Sequence, residues 1–404
     1  MNALDKRLAI IGGGASGLCA AIEAHFENPN IHITIFEKMN KPCKKILATG
    51  NGRCNFSNKD LSPAHFYGDK GFLRDLLTSP FADSEGFFRS LGVLSYEEDE
   101  RLYPRSQQAS TIKDALVNKA ISDGGIIKTD CAVTEIKKNK YSFFINGEEF
   151  DAVIICGGGK ASSVHGSDGS CYKLLTDFGH TLTPLYSALC GLTVGDKDLN
   201  ILKGVRAECE ARLYSGNTLL GCENGEIQFN DKAISGIPIM NLSHLCENKK
   251  NLYVSLDLCP EIDEKELLEH IKAAVNNSEA IEFEVVLNGI VNLKLGYALM
   301  NRCFIKPKTI CQNISNQQIK NVVSMLKAFE ININSTKGFD CAQVTKGGIK
   351  TDEFSSKTMM SKIVDGVFAC GEILDIHGDC GGYNLHLAWT TGRIAGSSAG
   401  SFLK

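Results

Sequence analysis

Three spaced glycines near the start of the 404-residue chain, Gly12-x-Gly14-x-x-Gly17, constrain its fold more than any other feature. They follow a short apolar stretch, Arg7 to Ile11, that reads as a strand. Leu18, Ala21, Ile22 and Phe26 then recur at helical spacing up to about Glu27. His32 to Phe36 alternates as a second strand, closed by Glu37. The unit is β-α-β. Each part of it has a task in holding a dinucleotide: Gly12 permits a tight turn, Gly14 lets the backbone approach a diphosphate, and Gly17 lets the helix pack close to the strand. The helix N-terminus offers free N–H groups and the positive end of its dipole. Glu37 is placed to accept hydrogen bonds from ribose hydroxyls and to repel a 2′-phosphate. These residues alone admit either NAD or FAD.

The rest of the chain decides between them. Lys44 to Asn55 is a polar, glycine-rich loop directly after the ribose-binding strand, and Gly371-Glu372, Asp375 and Gly381-Gly382-Tyr383-Asn384 lead into a last helix. Two glycine-rich segments at opposite ends of the sequence make sense if one long cofactor is wrapped by both. A helix starting near Tyr383 would face the N1/C2=O edge of a flavin, where negative charge gathers on reduction. Gly157-Gly158-Gly159 follows a good strand, Ala152 to Cys156, but lacks a third spaced glycine, so it reads as a turn returning the chain to the cofactor. A separate nicotinamide domain is therefore not expected, and NADH or NADPH would bind transiently as electron donor.

Between these segments the pattern changes twice. A helix is expected to open at Thr111 and Asp114, with Ile112, Ala115, Leu116 and Ala120 on one face and Gly124-Gly125 as its stop. Strands follow, with Asn146-Gly147 as a hairpin turn. From 188 to 258, short strands with glycine turns read as a barrel or sandwich. Residues 261–303 read as helical, and Ser315 and Gln318 form a capping box before a further helix. In the helix expected over about Leu385 to Ala399, Ala388, Gly392, Ala395 and Gly396 would let it approach a sheet or ligand closely. The expected fold is α/β: a discontinuous Rossmann-type domain (1–187 and 341–404) interrupted by an inserted β-rich domain (188–340) with a helical subdomain at about 261–303.

Composition narrows the function classes. The 43 Lys and Arg against 47 Asp and Glu leave a net charge of -4, without the basic surplus that a nucleic-acid partner calls for. No apolar run reaches the 18 or so residues of a membrane span, and no basic start precedes an apolar stretch as in a secretory signal, so a cytoplasmic protein without a membrane partner is expected. The 16 Cys include no C-x-x-C pair, which leaves most of them as small buried residues. His65, His165, His180 and His386 lack metal-ligand spacing and are expected to be structural, with no metal site.

The motifs resemble those of the aminoacetone-oxidase-like and bile-acid-reductase-like NAD(P)/FAD-dependent oxidoreductases. The resemblance rests on Ile10–Gly17 with Glu37-Lys38, on KKILATGNGRCNFSN from Lys44 to Asn58, on Val153–Gly158, on Gly225–Ser243, and on Thr358–Gly396 with GEILDIHGDCGGYN from Gly371 to Asn384. It implies a Rossmann-type FAD domain with an inserted barrel-like domain. It also implies FAD contacts at Gly14, Ala15, Ser16, Glu37, Lys38, Lys44, Gly52, Arg53, Cys54, Asn55, Val133, Gly157, Gly158, Asp168, Gly371, Glu372, Asp375, Gly382, Tyr383, Asn384 and Leu385, beside Gly12 and Gly17 of the fingerprint. Ser170-Cys171 and His377 depart from the family pattern.

The expected activity is FAD-dependent reduction of an activated C=C bond in a cyclic or steroid-like ketone. Two alternatives stand beside it: an amine or amino-ketone oxidase using oxygen, and a flavin-carrying binding or sensor protein. An RNA-modifying flavoprotein is disfavoured by the acidic balance. Tyr383, His377, Arg53 and Cys54 are the candidates for proton transfer because they neighbour the expected flavin loops, with Cys54 the weakest because no resolving cysteine is near.

Overall fold

The computed structural model describes residues 6–277 and 279–404, with every side chain in that span except that of Lys197. The described residues divide into two compact units, one formed by 6–186 and 343–404 and the other lying within 187–342.

The first unit is built on a five-stranded parallel sheet in the order 367–369, 152–155, 7–11, 32–36, 126–128. Ile10 pairs with Ile154 on one side and Ile35 on the other, and all three are fully buried. Strands covered on both faces read as unbroken apolar runs, as RLAII and AVII do. The helix before the edge strand spans Ala109–Ser122, two residues ahead of the expected start. Gln108 precedes it without a side-chain cap, and the hydroxyl of Thr111 pairs instead with that of Ser106 at 2.6 Å. The Asn146-Gly147 turn joins two short antiparallel strands, with φ of 48° and 85° at its two residues.

The second unit holds a closed six-stranded barrel in the order 192–194, 233–236, 218–230, 206–215, 252–257, 329–336. Phe329, Ile331 and Ile333 point inward in alternation with Glu330 and Asn332, the period of two that a one-sided strand requires. The unit also holds helices Ile237–Leu242, Glu264–Asn277, Phe283–Asn288, Leu293–Arg302 and Asn316–Lys327, the last opened by the Ser315/Gln318 capping box.

One contact positions the site. The C-terminal helix, Tyr383–Phe402, lies parallel to the first helix, Ala15–Glu27, along a face of glycines four residues apart. A Cβ at Gly392 would sit 2.3 Å from the Ser16 carbonyl oxygen, one at Gly396 2.1 Å from that of Ala20, and one at Gly400 2.7 Å from that of Ala24. The small residues of this helix thus admit another helix rather than a sheet or a ligand. Beside this contact, Arg393 is held by Glu23 at 2.6 Å, and the Trp389 indole donates to the Phe56 carbonyl at 2.8 Å. Because no side chain fits between these backbones, Gly396→Ala is expected to destabilise the fold by about 3 kcal/mol, the upper range for overpacking. Urea unfolding of the variant against the wild type measures it, and an unchanged midpoint would contradict this reading of the contact.

Candidate flavin site

The parallel alignment of the two helices fixes the distance between their N-termini. Gly392 is level with Ser16, the second residue of the first helix, so the C-terminal helix begins eight residues beyond the start of the first. At 1.5 Å per residue that is an axial offset of about 12 Å. Neither helix has a side-chain cap or an acidic residue in its first turn, so each presents unneutralised N–H groups and a positive dipole end. A Cβ at Gly14 would meet nothing within 4 Å, which leaves the space over the first helix open. At the other end Gly382 takes φ +97°, and a Cβ there would collide with the Ser57 carbonyl oxygen at 2.5 Å.

Glu37 closes the second strand as the sequence suggests, 8% exposed. Its carboxylate accepts from the Gly13 amide at 2.9 Å and from the Met39 amide at 2.7 Å, one bond per oxygen, and each oxygen retains capacity for a further donor such as a ribose hydroxyl. Beside it Lys38 pairs with Asp168 at 2.6 Å. Burial would raise the Asp168 carboxyl, but Lys38 and the hydroxyl and amide of Ser170 outweigh it and hold the group down at about 2. Gly157 and Gly158 make room for this same turn: a Cβ on Gly157 would lie 2.1 Å from the Cys171 sulfur, and one on Gly158 2.9 Å from the Ser167 hydroxyl.

A second carboxylate gathers the remaining segments. Glu372 pairs with Lys45 at 2.6 Å and accepts from the Thr345 amide at 2.9 Å. The Thr345 hydroxyl in turn accepts from the amides of Lys160 and Ala161 at 2.8 and 3.0 Å. Gly371 lies against Ser16, where a Cβ would come within 2.4 Å of the serine hydroxyl. The glycine-rich segment read as a loop starts as a short helix, Lys44–Ala48, and it is Lys45 rather than Lys44 that meets Glu372. The expected contact set leaves out Lys45 and Thr345, whose partners are remote in sequence: Glu372 lies 327 residues from Lys45, and Lys160 lies 185 residues from Thr345.

The other expected contact residues are placed as follows. Asn55 carries a buried side-chain oxygen with no partner, next to Gly382. Cys54 is fully buried, and burial pushes its thiol up to about 12, so it stays an unreactive thiol. Arg53 pairs with Glu98 at 2.6 Å and stacks over Tyr103 at 4.3 Å. Asp375 accepts from the Thr183 hydroxyl at 3.0 Å. Asn384 clamps its own turn, accepting from the Gly378 amide and donating to the Gly378 and Asp379 carbonyls. Val133 is buried in the core of this unit and Leu385 packs partly against it. His377 stacks on Tyr67, and Tyr383 stacks on His65. His386 is fully buried with its Nδ1 3.0 Å from the Ser57 hydroxyl, and burial lowers it to about 4, so it is neutral near pH 7.

These residues fit FAD. Two uncapped helix ends offset by about 12 Å, an open approach over Gly14, a carboxylate ready for ribose and an orphaned amide oxygen at Asn55 suit a diphosphate joined to a polar ring system. A Ser-His-Glu row elsewhere, Ser361, His180 and Glu353 at 2.9 Å spacings, is not a nucleophile. Ser361 is 2% exposed and its oxygen already accepts from the amides of Ile363 and Val364.

The Lys38–Asp168 pair makes a pH prediction. With a folded-state value near 2 against an ordinary 3.8, Asp168 contributes stability that is complete above about pH 4 and is lost as pH falls through 2. Lys38→Met is expected to return Asp168 toward 3.8 and flatten that acid limb, read by carboxyl NMR and by unfolding midpoints from pH 5 to 2. An Asp168 titration unchanged in the variant would show that Lys38 does not hold it.

Comparison with known proteins places this arrangement. Residues 6–398 match the HI0933-like protein Rossmann domain. The chain is 35% identical to the 3-dehydro-bile acid delta(4,6)-reductase of Clostridium scindens, over 98% of this chain and 99% of that one. It is 27% identical to a ribosomal RNA dihydrouridine synthase of Haemophilus influenzae, over 95% of both. The fold is shared with a 3-ketosteroid-delta4-(5alpha)-dehydrogenase from Rhodococcus jostii RHA1, at a TM-score of 0.50 and 14% identity over 99% and 98% of the two chains. Among the described residues no helix is long and apolar enough to cross a membrane. The chain therefore belongs to the HI0933-like Rossmann-domain family of flavoprotein oxidoreductases.

Proposed function

We propose that the chain binds FAD along its two parallel helix ends and reduces a C=C bond conjugated to a carbonyl in a cyclic, steroid-like ketone, with NADH or NADPH as the transient donor. The identity of 35%, over nearly the full length of both chains, to a bile-acid reductase carries this reading. In it, the amides at the start of the first helix bind the diphosphate, and Glu37 accepts from the adenosine ribose. The N-terminus at Tyr383 stabilises negative charge on the ring edge it faces. FAD, when bound, supplies the hydride for the β-carbon of the enone. The chain supplies orientation, exclusion of water and the proton for the α-carbon.

The identities of 27% and 25% to ribosomal RNA dihydrouridine synthases favour a second reading with the same bond chemistry. The C5=C6 bond of uracil is also conjugated to a carbonyl, so one flavin site serves either reduction. The net charge of -4 weights the choice toward a small molecule.

Anaerobic mixing tests the choice. The purified protein is expected to be yellow, to be bleached by NADH or NADPH, and to regain its colour with a 3-oxo-Δ4 steroid. Recovery with a uridine-containing ribosomal RNA fragment and not with the steroid would replace the first reading by the second. Bleaching by amines alone would overturn both in favour of an oxidase. Glu37→Ala is expected to weaken FAD binding at least tenfold, about 1.4 kcal/mol, in a fluorescence titration.

A further inference from the structure

Next to the start of the C-terminal helix lies a charged cluster that the sequence did not announce. His65 stands between two carboxylates, with Nδ1 3.0 Å from Asp379 and Nε2 3.2 Å from Asp60. Asp379 is 6% exposed and also accepts from the Tyr67 hydroxyl at 2.9 Å. The imidazole lies flat on the Tyr383 ring, centroids 4.6 Å apart and planes 14° from parallel.

With a carboxylate at each nitrogen, both nitrogens are donors only when the ring is protonated; the neutral ring would turn a lone pair toward one of the two acids. Burial works against the charge, but the hydrogen bonds to Asp379 and Asp60 outweigh it and raise His65 above its ordinary 6.5. Tyr383 is 4% exposed, and burial raises its phenol, as do Asp60, Asp379 and Glu100, while Arg101 lowers it. Cys380 is pushed up to about 11, by burial first and by Asp379, with Arg101 acting against them, and stays neutral. Three carboxylates therefore face this phenol against one fixed cation. Whether His65 is charged decides how costly a phenolate is there.

We propose that the Asp60–His65–Asp379 cluster holds a cation on the face of Tyr383 and thereby makes Tyr383 the acid that protonates the substrate α-carbon. This rests on the proposed enone reduction. Each reduced bond takes up one hydride, which arrives with the cofactor, and one proton, which leaves the Tyr383 oxygen for carbon. The phenolate left behind takes its proton back from solvent. An imidazolium stacked on the ring stabilises that phenolate. Tyr383 is the catalytic residue in this scheme, and His65 and Asp379 are positioning residues that act through it.

The active form carries protonated His65, so the rate falls as pH rises through the His65 pKa. The experiment mixes chemically reduced holoenzyme with a 3-oxo-Δ4 steroid without oxygen and follows flavin reoxidation from pH 5 to 9. Alongside it, the titration of ¹³C-labelled His65 is followed by NMR in the flavin-free protein. Wild type is expected to lose rate tenfold per pH unit on the alkaline side. Asp379→Asn should move that limb to lower pH and move the His65 NMR titration with it. His65→Gln and Tyr383→Phe should abolish the limb and slow reoxidation about a hundredfold at pH 6, the lower range for a positioned acid. Equal flavin content in all four proteins shows that they fold. Superimposed pH profiles in wild type and all three variants overturn the inference and leave the reductase reading standing, as does an NMR value for His65 below 6.5. A wild type whose reduced flavin no enone reoxidises overturns the reductase reading, and the inference falls with it.

Discussion

The contact between the first and last helices is the constraint from which the site follows. Three glycines on the C-terminal helix meet three backbone carbonyls of the first, at intervals of four residues on each side. Equal intervals in the same direction require parallel helices, and backbone against backbone allows no slippage without a steric clash. Two positive helix ends consequently point the same way at a fixed offset. A single helix N-terminus binds an anion; two in parallel, displaced by about 12 Å, suit a ligand with a diphosphate at one place and an electron-accepting ring at another.

Around that pair the chain uses carboxylates as ties. Glu37 holds the glycine turn to its own strand, Glu372 joins Lys45 to Thr345, and Asp379 joins His65 to Tyr67. Each is partly or largely buried with donors on its oxygens, the condition under which a buried charge is tolerated. The ties connect segments from both ends of the sequence, so the first unit is completed only when residues 343–404 return to it. The double glycine at 381–382 brings the last helix onto the Ser57 backbone and sets Tyr383 against His65.

Much of this was legible in the sequence because it is written in short periods. The strand, glycine turn and helix at 7–27, the short strands and glycine turns of 188–258, the Asn146-Gly147 turn and the Ser315/Gln318 box are local signals, and the Rossmann-type sheet and most of the barrel follow from them, whereas the barrel strand 329–336 lay outside the segment read as barrel. What was not legible is non-local. Gly392 and Gly396 announce a close approach but not its partners, Ser16 and Ala20, each 376 residues away. His65 and Asp379 are 314 residues apart, and neither has a spacing that marks it. Thr111 has the chemistry of a cap yet sits inside its helix, since the turn before Ala109 uses Ser106 to bind it.

The central claim, that one extended flavin nucleotide spans the two helix ends, is tested most directly by a crystal structure of the protein with FAD. The account predicts the diphosphate on the amides of Gly14 to Ser16, the adenosine ribose on Glu37 and the flavin ring at the Tyr383 end of the last helix. A diphosphate on Gly14 to Ser16 with the ring directed away from Tyr383, or a nicotinamide dinucleotide resident in that groove, would contradict it.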